Sequence, residues 1–518
     1  MTPCVPLRPF GKSVVWAPTG TEASAFDRHS VVEMGIPERS LMENAGRSAA
    51  QILEKIFPKG EVIVVVGSGK NGGDGIVLGR TLKAWGRKVR MVTVGKRPAH
   101  SELINGWPMN TDSTESFFDN SSVIVDAILG TGMTGKLRKE QAKIIRSINR
   151  SERPVLSLDV PSGLDSDTGR SLGEVISADV TVAFGWPKLG TILQGGRAQS
   201  GRLIAIEIGF PPSSMASFGA EIVTPEWALR AKPIRKFDSH KNSVGSLLVV
   251  AGMAGMVGAA LLSAQAALRG GIGQLRIVSD ECNRNIIQRT VPEAIFVPSS
   301  DYDEIKVAVS KSDALAIGPG LGCSDQSGEL LKMLCECEGG LPVVLDADGL
   351  NMATNGNGPQ IRDWTLKRNV LLTPHLGEMT RLSGLLPESI ESDRLGVTKA
   401  FANKTGATVL FKGLPSVVVP PTGTTLVDSM ASSDLASAGM GDLLTGFIGA
   451  LLAQKLPPDI AGALGLYMVG RAATRTELGP SLISTDILPE LPEVWKEQGH
   501  GESDLGLPFV IFDQDAPK

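Results

Sequence analysis

The stretch GSGKNGGDG, residues 67–75, follows the apolar run EVIVVV (61–66) and precedes IVLGRTLKAWG (76–86). A strand that hands over to a helix through so many glycines lets backbone approach a bulky group, and the helix start adds oriented N–H groups at a positive dipole end. Phosphate fits that combination. SAGMGDLLTG, residues 437–446, repeats the theme far downstream. The first stretch is not the dinucleotide fingerprint, because its glycines continue and Asp74 lies inside the loop rather than about twenty residues further on.

Working outward, apolar runs EVIVVV, KVRMVTV, SSVIVDAIL, RPVLSLDV and DVTVAF alternate with segments of helical period such as KEQAKIIRSINR. Strands apolar without alternation are buried on both faces of a parallel sheet, so the first half reads as a Rossmann-like three-layer α/β domain. From residue 210 the chain becomes rich in Pro and Ser and reads as a linker. A second α/β series then begins at SLLVVAG and runs through DALAIGPGLG, PVVLDADGLN, NVLLTPHLGE and ATVLFKG to the second glycine stretch. The expected division is an N-terminal extension (1–20), a first domain (21–210), a linker (211–235), a second domain (236–495) and a poorly ordered acidic tail (496–518).

A chain of 518 residues exceeds one ordinary core and predicts two or more domains. The net charge of −4 comes without any basic run, so a nucleic-acid partner has no electrostatic footprint. No apolar run spans a bilayer and the first residues lack the apolar core of a signal peptide, which predicts a cytoplasmic protein with no membrane partner. Five cysteines form no disulfide framework, and Cys335 and Cys337 in LCECEGG have no supporting ligands for zinc, so they read as a reduced helix end. With five scattered histidines, any bound metal is expected to sit among oxygen ligands.

Open α/β sheets bind ligands at strand ends. There the sequence sets VDAILGTGMTGK, carrying Asp126, and LDVPSGLDSDTG, carrying Asp159 and Ser162. Asn71, Asp126 and Ser162 offer oxygens that can converge on a cation, and Asp159 has no basic neighbour in sequence to neutralise it. The alternative is that these are turn and capping residues. In the second half, Ala438, Gly439 and Gly441 precede an apolar helix whose free N–H groups can stabilise a phosphoryl group in transfer. Asp442 beside them is placed to accept the proton of an attacking hydroxyl; an ordinary first-turn carboxylate is the alternative.

Together KNGGDG, DAILGTG and LDVPSGLD resemble the epimerase domain of the NAD(P)H-hydrate repair enzymes. The resemblance implies that Lys70, Asn71, Gly72, Gly73 and Asp74, with Gly130, Thr131, Gly132, Met133, Thr134, Gly135 and Lys136, hold the phosphates and ribose of a damaged cofactor. It implies a potassium ion on Asn71, Asp126 and Ser162, and Asp159 as the acid/base at the hydrated nicotinamide ring. Lys70 stands where the family often has a second Asn.

The second half resembles the ribokinase-like dehydratase domain often fused to that epimerase, through HKNSVGSLLVVAG, IGPGLG, LDADGLN, TPHLGE, FKG and AGMGDLLTG. The resemblance spans roughly residues 21–491. It implies that Ala259, Gly322, His375 and Asp442 contact the hydrated nucleotide, that Lys412, Gly413, Leu414, Pro415, Ser416 and Gly441 bind ADP or ATP, and that magnesium bridges the donor phosphates. The reaction implied is epimerisation of R and S hydrated NADH or NADPH, then phosphorylation of the ring hydroxyl and loss of phosphate to restore the dihydronicotinamide. A homo-oligomer is also implied. Three departures stand out: Leu376 for Pro in TPHPGE, Asn242 for Gly, and the approach ASSDLASAGMGD with Met440. The rival readings are a vitamin or sugar kinase with an accessory nucleotide-binding domain, and a non-catalytic nucleotide-binding protein.

Overall fold

The computed structural model describes residues 14–95, 101–105, 111–112, 118, 121–133, 135–211, 218–430, 432–499 and 503–517. Its strands are β1 (Val62–Val66), β2 (Val89–Thr93), β3 (Thr111–Asp112), β4 (Val123–Ala127), β5 (Val155–Leu158), β6 (Val180–Phe184), β7 (Arg202–Ile206) and β8 (Ala220–Val223). They continue as β9 (Ser246–Val250), β10 (Gln274–Ser279), β11 (Ala294–Pro298), β12 (Ala314–Ile317), β13 (Val343–Leu345), β14 (Val370–Leu372), β15 (Thr408–Phe411), β16 (Val417–Val419), β17 (Thr425–Asp428) and β18 (Val510–Gln514). The chain divides into two compact units, residues 1–222 with 501–518, and residues 223–500.

In the first unit the sheet order is β18-β7-β6-β5-β4-β1-β2-β3, parallel except for β18. All five residues of β1 are buried. Val62, Val64 and Val66 pack with the helices Glu38–Ile56 and Lys70–Ala84, while Ile63 and Val65 pack with Ile144, Ile145 and Ile148 of the helix Lys139–Arg150. Burying one such side chain contributes roughly 1.5–3 kcal/mol. This is the expected three-layer arrangement, and it explains why β1 has no polar alternation.

β1 pairs with β2 on one side and β4 on the other, so the chain reverses its direction of travel across the sheet there. That reversal opens a crevice at the carboxyl ends of β1 and β4. The Gly67 amide donates to the Ala127 carbonyl at 3.0 Å, and a Cβ at Gly67 would lie 1.9 Å from the Ile128 carbonyl oxygen. At Gly72 it would lie 2.1 Å from the Gly67 carbonyl oxygen. Backbone meets backbone here, which is why the stretch is glycine-rich. One expectation is corrected: the helix begins at Lys70, so Asp74 lies in its early turns and not in a loop. The glycines permit this because Gly75 seats the helix against the sheet beside Ala127.

The sheet of the second unit runs β11-β10-β9-β12-β13-β14-β15-β16-β17, parallel from β11 to β15 and antiparallel at β16 and β17. Helices Val257–Arg269, Met440–Ala453 and Pro458–Thr476 contribute to the core on one face. A second reversal occurs between β9 and β12.

Two further expectations change. Within the linker, β8 and the helix Pro225–Ala231 form, because Thr224 caps the helix by accepting from the Trp227 amide and Pro225 occupies its first turn. Trp227 and Ala228 are buried in the core of the second unit, which therefore starts before residue 236. The tail, expected to lack order, carries β18, an antiparallel edge strand on β7, because VIF within it is apolar despite the flanking acids. Arg202 clamps β18 through Asp513, with Nε–Oδ1 at 2.8 Å and Nη2–Oδ2 at 2.6 Å. No helix among the described residues is long and apolar enough to cross a membrane.

Removing residues 504–518 uncovers the edge of β7. In differential scanning calorimetry the midpoint of the first unit should fall by about 2–8 °C, which corresponds to the loss of ~1–2 kcal/mol in a unit of this size, while the transition of the second unit stays in place.

Candidate active sites

The crevice of the first unit is a cleft of about 790 Å³. Lys70, Asn71, Asp74, Gly130, Thr131, Gly132, Met133, Lys136 and Asp159 line it. Gly72, Gly73 and Gly135 do not, and Thr134 lies outside the described residues. The helix Lys70–Ala84 has Gly69 at its N-cap and no side-chain cap, which leaves its first amides available to an anion. Lys70 extends to Asp27 at 2.9 Å and Glu38 at 3.2 Å, so its charge is held by two carboxylates on the same wall.

Asn71 donates through Nδ2 to the carbonyls of Leu129 (2.8 Å) and Leu158 (3.1 Å), while its buried Oδ1 has no partner. Asp126 and Ser162 lie behind the wall. Asp126 accepts from Ser157 Oγ (2.9 Å), Ser162 N (2.8 Å), Ser162 Oγ (2.6 Å) and Ile128 N (3.3 Å). Ser162 Oγ also accepts from the Leu129 amide at 2.9 Å, so one residue, Leu129, joins Asn71 to Ser162. Burial pushes the Asp126 carboxyl up despite the opposing hydrogen bonds from Ser162 and Ser157.

Asp159 adopts φ +66°, a left-handed conformation uncommon for a residue with a side chain and a sign of local constraint. Asp159 has no basic neighbour in sequence, but the fold brings one to it. Lys188, 29 residues on, places Nζ 2.5 Å from Asp159 Oδ1. Both residues are buried. The sequence held one signal for Lys188, a lone lysine directly after the apolar run of β6, but proximity along the chain could not show the pairing. Asp74 differs: it makes no side-chain hydrogen bond among the described residues, and burial, followed by the nearby charges of Asp159 and Asp27, pushes its carboxyl well above the usual range.

In the second unit the candidates converge at the other reversal. The loops after β9 and β12 join through Gly252 N–Pro319 O (2.9 Å) and Met253 N–Gly320 O (2.8 Å), which puts Ala259 beside Gly320. The Gly322 amide donates to Asp348 Oδ2 at 2.8 Å. Lys412, at the end of β15, places Nζ 2.8 Å from Asp346 Oδ1 and 3.9 Å from Glu378 Oε2. Thr445 Oγ1 donates to Asp346 Oδ2 at 2.7 Å. Asp346, after β13, was not singled out in the sequence, although LDADGLN ends a strand; it ties three elements together.

Gly441 lies against this knot, its open Cβ position 3.4 Å from Asp346 Oδ2 and 3.6 Å from Lys412 Nζ. The helix Met440–Ala453 starts at Gly439 with no side-chain cap. Asp442, in its first turn, is pushed up to about 6 by burial and then by the charge of Asp346, with Lys412 opposing. Ser416 Oγ closes the loop Lys412, Gly413, Leu414, Pro415 by donating to the Gly413 carbonyl at 3.0 Å. His375 caps the helix Leu376–Ser383, with Nδ1 accepting from Gly377 N at 3.0 Å and Nε2 3.4 Å from Glu378 Oε1. Its ring thus caps a helix, and it is half exposed at the same strand-end row.

Cys335 and Cys337 are free thiols at the end of the helix Asp325–Glu336, and no cluster of three His, Cys, Asp or Glu suited to a metal occurs among the described residues.

Residues 38–190 match the family described as YjeF-related protein N-terminus, and residues 247–492 match the family described as NAD(P)H-hydrate dehydratase. The bifunctional NAD(P)H-hydrate repair enzyme of Salinibacter ruber is 33% identical over 528 residues, covering 93% of this chain and 96% of that one. The enzyme of the same name from Escherichia coli K12 is 31% identical over 507 residues, covering 93% and 95%. Among solved structures, a ribokinase-like superfamily protein from Enterococcus faecalis superposes with a TM-score of 0.50 at 24% identity, over 54% of this chain and 96% of that one. That likeness shows the fold of the second unit.

The carboxyl of Asp442, followed by 13C NMR of labelled aspartate, should titrate near pH 6. Asp346→Asn removes a repelling negative charge and leaves Lys412 to favour the carboxylate, so the midpoint should move down; an unchanged or higher midpoint contradicts the geometry given for the knot.

Proposed function

Because the chain belongs to the family of bifunctional NAD(P)H-hydrate repair enzymes, we propose that its two strand-end sites divide the repair. The protein epimerises the R and S forms of hydrated NADH and NADPH and dehydrates the S form at the expense of ADP or ATP. The cleft of the first unit takes the epimerisation and the Asp346–Lys412 knot of the second takes the dehydration. The observation that carries this division is that each unit sets an uncapped, glycine-led helix start beside aspartates at its own sheet reversal.

In the first site Lys70, Asn71, Asp74 and the loop of residues 130–136 hold the phosphates and ribose, and Asp159 exchanges protons at the hydrated ring. A potassium ion belongs to this reading. The orphaned Asn71 Oδ1 is an oxygen donor in need of a partner, and Asp126, bonded through Ser162, supplies negative charge behind it. When bound, the ion neutralises phosphate charge in the cleft.

In the second site Lys412, Gly413, Leu414, Pro415, Ser416 and Gly441 hold the phosphodonor, and Ala259, Gly322 and His375 border the substrate. Magnesium bound with the donor, which Lys412, Gly413, Leu414, Pro415, Ser416 and Gly441 would hold, would lower the charge that the attacking hydroxyl meets. Asp442 accepts the proton of that hydroxyl, and the helix amides stabilise the phosphoryl group in transfer. Phosphate then departs and the ring regains its conjugation. Free thiols support a reducing, cytoplasmic setting, and assembly of identical chains belongs to the same reading by resemblance.

The test is recovery of the dihydronicotinamide near-ultraviolet absorbance from mixed R and S hydrates with magnesium and either donor. Complete recovery faster than spontaneous epimerisation is expected. Asp159→Asn should stop recovery at the S fraction and Asp442→Asn should abolish it, each by about 10²–10⁴-fold in rate; a stable phosphorylated product would mark a small-molecule kinase instead.

The pH profile of dehydration kcat/KM should show an acid limb near 6, with activity rising as Asp442 loses its proton. A profile flat from pH 5 to pH 8 removes Asp442 from the role of base.

A further inference from the structure

We propose that Lys188 is the positioning residue of the epimerase site, fixing one oxygen of Asp159 so that the other alone addresses the bound ring. The proposal rests on the assignment of Asp159 to the chemistry of that site. Four observations carry it.

Lys188 is 4% exposed, so its ammonium is not a surface cation that happens to reach a carboxylate. Its three protons are fully engaged, by Asp159 Oδ1 at 2.5 Å, the Phe184 carbonyl at 2.7 Å and the Trp186 carbonyl at 3.1 Å. It therefore cannot swing to a ligand without abandoning buried partners. Asp159 is fixed from behind as well: its amide donates to the Val182 carbonyl at 2.8 Å, and its backbone sits at φ +66°.

Among the described residues, every side-chain hydrogen bond that Asp159 accepts falls on Oδ1, from Lys188 and, at 3.4 Å, from the Phe184 amide. Oδ2 points instead toward Gly130, 3.5 Å from where a Cβ on that glycine would stand, on the wall of the cleft. A carboxylate free to rotate would present either oxygen; this one is splinted. Reactions that depend on orientation lose about 10²-fold when the reacting group shifts by about 1 Å, so the splint acts on kcat. Lys188 borders the cleft, but its three protons are taken by Asp159 and two carbonyls, so it works through Asp159.

The experiment compares Lys188→Met and Lys188→Ala with the wild-type chain in R-to-S conversion, with dehydration of pure S hydrate by the same molecule as the check on folding. Lys188→Met should lower epimerase kcat on the order of 10²-fold, change KM by less than about threefold, and leave dehydration intact. Ethylamine, which can re-enter the vacated channel as an ammonium, should restore Lys188→Ala by at least about tenfold, and ethanol at equal concentration should not. Epimerase kcat within about threefold of wild type in Lys188→Met overturns the proposal. So does a joint loss of kcat and KM that ethylamine does not repair, because that pattern belongs to a collapsed loop. A wild-type chain with no epimerase activity overturns the underlying assignment, and the proposal with it.

Discussion

A carboxylate buried at the end of a parallel strand is unstable unless a cation or several donors meet it, and both sites are built on that constraint. Asp159 after β5 meets Lys188 after β6, and Asp346 after β13 meets Lys412 after β15. Removing one member of such a buried pair costs about 3–5 kcal/mol, because the survivor is left charged in a poor solvent. The lysines therefore tie strand ends together, β5 to its neighbour β6 and β13 to β15 across β14, while holding an acid in place. Each site also contains a second acid outside any such pair, Asp74 in one and Asp442 in the other, and burial pushes both upward. In the second site the two nearby carboxyls are treated differently: Lys412 holds Asp346 below its usual range despite burial, while Asp442 rises to about 6.

The sheet reversals decide where those acids meet. Between β1 and β4, and again between β9 and β12, consecutive loops leave the sheet in opposite directions and open a crevice. Glycine fills these loops for two separate reasons. At Gly67 it admits the backbone that follows β4 and at Gly72 the carbonyl of Gly67 itself, and at the helix starts after Gly69 and Gly439 it leaves amides unclaimed by a capping side chain. The first reason is structural and the second functional, yet both write the same letter into the sequence.

That double meaning sets how much was legible. The apolar runs gave the parallel strands and the three layers, since strands such as β1 are buried on both faces. The glycine loops and their aspartates pointed to the strand ends where the cleft of the first unit and the Asp346–Lys412 knot of the second lie. What stayed hidden was pairing over distance: Lys188 lies 29 residues from Asp159, and Asp346 reaches Lys412 across 66 residues. No periodicity reports such contacts. The errors at the linker and tail have another origin. Pro, Ser and acidic residues dominated the reading there, and the short apolar segments EIV and VIF, which become β8 and β18, were outweighed.

The departures from the family pattern can now be weighed by where their side chains go. Met440 stands at the first turn of the helix that carries Asp442, and its side chain is buried in the core cluster with Leu443 and Leu444. It thickens the packing beneath the helix and leaves Gly441 facing Asp346 and Lys412. Leu376 holds the first position of the helix after His375, where proline would fit without loss and where another residue merely keeps an amide. Asn242 accepts from Gln274 Nε2 at 2.7 Å on the surface, at the amino end of β10 and not at the carboxyl strand ends. Lys70 brings a charge where the family often has an amide, but Asp27 and Glu38 already balance it. Each change is absorbed by a neighbour that the fold already supplies, so none of the four breaks the strand-end geometry on which the two reactions depend.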